Sequence, residues 1–249
     1  MNTILPSFEN ITELNEHLTP FPNSDDIFVE HQSWLKEHFL PLISIDLGML
    51  KEEWRGQVVY LLNPFEPIEG YIGESTHDFH NEFTGENWFA FRLTNDNRYE
   101  FLGNEGYFER SSIHQDSDML DEEILEEYDE FIQESIQNYQ LAQEYFAKTN
   151  KLVNIHTSKL DDKIDQENWL SDLGGALSEQ YGNWVSSPKP PKAFLKELDD
   201  DKLAISYNGN PFYFIAGVPA YNYGCSGADW IVMLYEPISR IVLFTFDWS

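Results

Sequence analysis

The chain predicts a mixed α/β (α+β) fold in which two similar sheet-and-helix units, residues 1–117 and 150–249, are joined by a long acidic amphipathic helix over residues 118–149. Three observations predict it. Residues 118–149 carry apolar side chains at helical spacing, strand-length apolar runs on both sides are broken by short polar turns, and a set of landmarks recurs in the same order before and after the helix.

In the first unit, residues 57–63 (Gln-Val-Val-Tyr-Leu-Leu-Asn) join β-branched and large apolar side chains as a strand does. Residues 87–103 set two apolar runs around the polar stretch Thr94-Asn95-Asp96-Asn97 and read as a hairpin. In the helix, Ile124, Tyr128, Phe131, Ile132, Ser135, Tyr139, Ala142 and Phe146 fall on one arc at about 100° per residue. Glu122, Glu123, Glu126, Asp129, Glu130 and Glu134 fall on the opposite arc. Asp118 suits the N-cap, and Asp121 to Glu123 meet the positive end of the helix dipole. Beyond the helix, residues 167–184 read as helical, 202–208 and 212–217 as strands, and 229–247 as a second hairpin.

Trp88 and Arg98 are ten residues apart, as are Trp230 and Arg240. The order Trp34-Leu35, Trp54, Pro64-Phe65, Trp88, Arg98 is repeated by Trp169-Leu170, Trp184, Pro211-Phe212, Trp230, Arg240. Duplication of a unit of about 100 residues accounts for the pattern. Chance matching among seven tryptophans in an aromatic-rich chain accounts for it equally.

The 249 residues are 41% hydrophobic and 15% aromatic, enough to build a core, so the high net charge does not signal disorder. Against 15 basic side chains stand 44 acidic ones, and 15 − 44 = −29. That charge repels phosphate backbones and anionic lipid, which excludes direct nucleic-acid binding and disfavours membranes. The longest apolar runs are strand-length, and Met1 to Ser7 carries neither a cationic nor an apolar leader segment, so a cytoplasmic location is expected. Cys225 is the single cysteine and forms no internal disulfide, in keeping with a reducing compartment.

Four places invite a chemical reading. In extended backbone, Asp78, His80 and Glu82 share a face and form a metal-like cluster beside His77; the alternative is a polar loop with incidental histidines. Cys225, in Gly224-Cys225-Ser226-Gly227, is a nucleophile if His114 or His156 serves as its base, and otherwise a small residue in a tight loop. No phosphate-binding glycine loop is present, and no cofactor is expected. Residues 116–134 hold ten carboxylates and no Lys or Arg, including the i,i+4 pairs Glu122/Glu126, Glu123/Glu127, Glu126/Glu130 and Glu130/Glu134. Repulsion of about 0.2–0.5 kcal/mol per pair is relieved by salt or by a basic partner. Finally, Tyr221 and Tyr223 alternate with small residues in the loop 219–229, which suits either an adaptable contact surface or a cap on the core.

The glycine-rich loop leading into Gly227-Ala228-Asp229-Trp230-Ile231-Val232-Met233-Leu234-Tyr235, then Ser239-Arg240-Ile241-Val242-Leu243-Phe244, resembles the closing strands of SUKH-type immunity proteins of bacterial toxin systems. The resemblance spans about 35 residues and carries no catalytic signature. It implies an α/β immunity fold that binds a cognate toxin tightly and has no enzymatic activity. Together with the charge, it leads to the expectation of a cytoplasmic protein-binding module that neutralises a basic toxin domain. Its expected contact residues are Glu122, Glu123, Glu126, Asp129, Glu130, Glu134, Tyr221 and Tyr223. The competing expectations are a metal-dependent hydrolase using Asp78, His80 and Glu82, and an aromatic-platform glycan binder.

Overall fold

The computed structural model describes residues 4–67, 69–111, 114, 122–177, 189–199 and 202–248, with the backbone alone for 122–128, 198–199 and 202. Its centre is the hairpin β14 (Trp230–Glu236) and β15 (Ile241–Asp247), whose strands are apolar at nearly every position. Alternate side chains of a strand point to opposite faces, so such a run is stable only where both faces are covered. That is the case here. Ile231, Met233, Tyr235, Val242, Phe244 and Phe246 enter one core, while Val232, Leu234, Ile241 and Leu243 enter a second.

The hairpin lies in a seven-stranded antiparallel sheet that also contains β1 (Ser7–Ile11), β5 (Trp88–Leu93), β6 (Tyr99–Phe101), β9 (Leu170–Gly174) and β13 (Tyr213–Val218). The order is β1-β9-β13-β14-β15-β5-β6. Phe244 faces Met233 on one side and Phe89 on the other, a register that stacks Phe89 on Phe244 with ring centroids 5.3 Å apart. The larger core is closed by a second sheet of β2 (Leu18–Pro20), β3 (Phe39–Asp46) and β4 (Val58–Pro64). Tyr99 joins the two sheets: its hydroxyl accepts from the Tyr60 amide at 2.7 Å and donates to the Tyr60 carbonyl at 2.9 Å. The smaller core is closed by β10 (Phe194–Asp199), β11 (Lys202–Tyr207) and β12 (Asn210–Pro211), through Phe194, Leu203 and Ile205. A short hairpin of β7 (Leu152–Asn154) and β8 (Ile164–Gln166) follows the helix α1 (Glu122–Thr149).

Ile132, Ser135, Asn138, Tyr139 and Ala142 form the buried side of α1. The ring of Phe21 packs against Tyr139, Phe146 and Tyr223 at 5.3, 5.7 and 5.6 Å. Asp118 and Asp121, expected in the first turn, lie outside the described residues.

The fold is α+β, but the segments 1–117 and 150–249 contribute strands to one sheet and side chains to one core. The two expected hairpins stand side by side, β15 against β5. Of their other landmarks, Trp34 sits in a 3-10 helix, whereas Trp169 leads directly into strand β9, and Trp184 lies outside the described residues. The helical expectation for 167–184 is corrected at its start. Leu170 and Leu173 are spaced as on a helix, yet β9 is hydrogen-bonded between β1 and β13. Gly174 and Gly175 end that strand at φ 69° and 84°. A side chain at Gly174 would lie 2.1 Å from the Pro6 carbonyl oxygen, so this close approach needs glycine.

Candidate functional site

Asp129, Glu130 and Glu134 are exposed on α1; at about 100° per residue Glu130 and Glu134 lie opposite the face that carries Ile132 and Tyr139, and Asp129 lies at its edge, one turn before Ile132. The Arg110 guanidinium donates to the Asp129 carboxylate. The side chains of Glu122, Glu123 and Glu126 lie outside the described residues.

Beside this stripe, α1 and β3 enclose an open groove of about 610 Å³. Leu40, Phe65, Ile132 and Ile136 supply apolar lining, and Gln133, Gln140 and Gln143 line it from α1. Tyr139 fastens the two walls together, its hydroxyl donating to the Pro41 carbonyl at 2.5 Å. Burial pushes that phenol's pKa up. Lys36 and Arg110 also line the groove, and each holds a carboxylate, Asp25 and Asp129 respectively. The Lys36 ammonium keeps the Asp25 carboxyl below its ordinary pKa. A neighbouring crevice of about 490 Å³ shares Lys36 and is lined by Asp25, Glu30, Asp96 and Arg98. Asp25, Lys36 and Arg110 carry no local motif. Their one signal in the sequence is that basic residues are scarce in so acidic a chain.

The tyrosine loop divides. Residues Ala220–Tyr223 form a 3-10 turn ended by Gly224 at φ 72°. Tyr221 is 41% exposed, but Tyr223 is fully buried and its hydroxyl donates to the Trp169 carbonyl at 2.7 Å. The expectation that Tyr223 meets a partner is therefore corrected: its ring is core, against Phe21 and Trp169.

Cys225 is buried, and its thiol donates to the Ala220 carbonyl at 3.2 Å. Burial pushes the thiol pKa up, away from the thiolate that nucleophilic chemistry needs. Neither expected base adjoins it: His114 is bound through Nε2 to the Gly106 carbonyl at 2.9 Å and packs on Phe79, and His156 is exposed.

The metal reading assumed extended backbone, but His77–Phe79 is a 3-10 turn, which rotates successive side chains by about 120° instead of alternating them. His80 Nε2 is engaged with the Gly73 carbonyl at 2.8 Å, while Asp78 and Glu82 point into solvent. Among the described residues, no three His, Cys, Asp or Glu side chains converge as metal ligands. Nor do the tryptophans among the described residues form a platform. Trp54, Trp88 and Trp169 are buried, and Trp34, Trp230 and Trp248 are partly buried against the two cores.

No family model, curated protein or solved structure matches the chain. Among the described residues, no helix is long and apolar enough to cross a membrane.

Proposed function

We propose that this chain is a cytoplasmic protein-binding module that neutralises a cationic bacterial toxin domain by covering it. This is the role implied by the likeness of its closing hairpin to SUKH-type immunity proteins. The observation that carries the reading is the exposed acidic face of α1, Asp129, Glu130 and Glu134, on a chain of net charge −29. A field of that sign raises the encounter rate with a basic protein, while nucleic acid and anionic lipid are repelled. Toxins that act on nucleic acid present basic surfaces, and an acidic inhibitor competes for the same groups. Tyr221 offers an exposed ring, through which an aromatic contact adds area at low entropy cost. The chain performs this role by occupancy, without turnover or cofactor.

The test is co-expression with the product of the adjacent gene, followed by association kinetics at low and high salt. The association rate is expected to fall steeply as salt rises. Replacing Asp129→Lys, Glu130→Lys and Glu134→Lys together moves the net charge by six, from −29 to −29 + 6 = −23, and is expected to slow association roughly tenfold. A rate indifferent to both salt and charge reversal overturns the reading.

A further inference from the structure

We infer that the groove between α1 and β3 is the anchor point of this acidic face: it receives one apolar side chain that the partner carries between basic residues. The inference rests on the protein-binding reading above and adds where affinity is held.

The groove is large enough, at about 610 Å³, for a Leu, Phe or Trp side chain; the half-buried Ile136, above the buried Leu40, Phe65 and Ile132, gives it an apolar floor between polar walls. Charge selects the occupant. The cationic lining groups Lys36 and Arg110 are already held by Asp25 and Asp129, and Glu37 also lines the groove. Counting those five groups gives 2 − 3 = −1, so among the described residues both cations that line the groove are already held by carboxylates. Both margins are acidic. At about 100° per residue, Glu130 and Glu134 lie on the solvent side of Gln133, and across the groove the crevice that shares Lys36 presents Asp25, Glu30 and Asp96 against Lys36 and Arg98, the latter paired with Asp96, so acids outnumber cations there too. An apolar strip between two acidic margins is complementary to an apolar residue flanked by cations. A second copy of the chain brings another −29 and meets repulsion instead. The ion pairs Lys36–Asp25 and Arg110–Asp129 are partly exposed on the lysine and arginine side and open on the carboxylate side. Such pairs contribute little, so both carboxylates can exchange to a partner's cations at small cost.

The test uses two fluorescein-labelled synthetic peptides with the same number of lysines and arginines, one with a central tryptophan and one with serine in its place. Fluorescence anisotropy is read on the whole protein. The tryptophan peptide is expected to bind about tenfold more tightly than the serine peptide. Gln140→Trp, which fills the groove from an exposed position without changing charge, is expected to remove that preference while leaving serine-peptide affinity within about twofold. Gln143→Trp repeats the test from a second position, and thermal unfolding verifies that each variant is folded. Equal affinity for the two peptides, or a preference that survives both substitutions, overturns the anchor and leaves the acidic-face reading standing. Failure of both peptides to bind at low salt overturns both. Self-association of the wild type that either substitution abolishes assigns the groove to a second copy and overturns the inference.

Discussion

Tyr139 ties α1 to the sheet beneath it, and removing its hydroxyl measures that tie. The hydroxyl donates to the Pro41 carbonyl at 2.5 Å from a residue that is 6% exposed, and the ring meets Phe21 edge-on at 5.3 Å. Tyr139→Phe keeps the ring and its packing. It removes one hydrogen bond worth about 1 kcal/mol net, and it takes a donor from a carbonyl that water reaches poorly, for a total of about 1–2.5 kcal/mol. For a chain of this size each kcal/mol lowers Tm by about 2–4 °C, so a drop of about 2–10 °C is expected. Tyr139→Ala also deletes the ring, at about 3–5 kcal/mol, and leaves a cavity beside Phe21, bringing the total to about 4–7.5 kcal/mol. The assay is urea unfolding followed by far-UV circular dichroism, with the slope m unchanged for the Phe variant. Hydrogen exchange then reports whether amides near Tyr139 open more readily than those of β14 and β15. If Tyr139→Phe unfolds at the wild-type urea concentration, the hydroxyl contributes nothing beyond its ring, and the account of how the groove walls are joined is refuted.

Two further outcomes follow from burial. The Tyr99, Tyr107, Tyr139 and Tyr223 phenols have pKa values raised by desolvation, so the neutral form belongs to the folded state. Stability is then fully present below the unfolded phenol value of about 10 and lost as pH rises above it, with tyrosinate absorbance appearing in step with unfolding. Ionisation of these rings in a protein that stays folded well above that pH contradicts the buried assignment. Cys225, raised in pKa and bonded to Ala220, is expected to react with a thiol reagent only as fast as the chain unfolds, and rapid labelling of the native protein contradicts it.

Much of the local structure is legible before any coordinates. Ile132, Ser135, Tyr139 and Ala142 repeat at helical spacing, and they form the buried side of α1. The runs around Trp88 and Trp230 alternate about short turns, and each closes a hairpin. Such signals are carried by neighbours within one turn or one strand pair, where geometry follows from covalent spacing. The start of the segment 167–184 departs from expectation for the same reason. Trp169-Leu170 and Leu173 satisfy a helical period, and only pairing with Phe8 and Ala216 makes the segment a strand.

Charge, the capacity for a core, and the period of each element belong to the sequence alone, because they depend on composition and on near neighbours. The tertiary structure decided which tyrosine of the loop faces solvent, that His80 serves the Gly73 carbonyl, and that Cys225 is sealed in the core. It also decided that a groove lies beside the acidic stripe, since Lys36, Phe65, Arg110 and Ile136 meet there from separate stretches of chain. Those outcomes turn on contacts between residues far apart in the chain, which packing selects from many that local spacing permits equally.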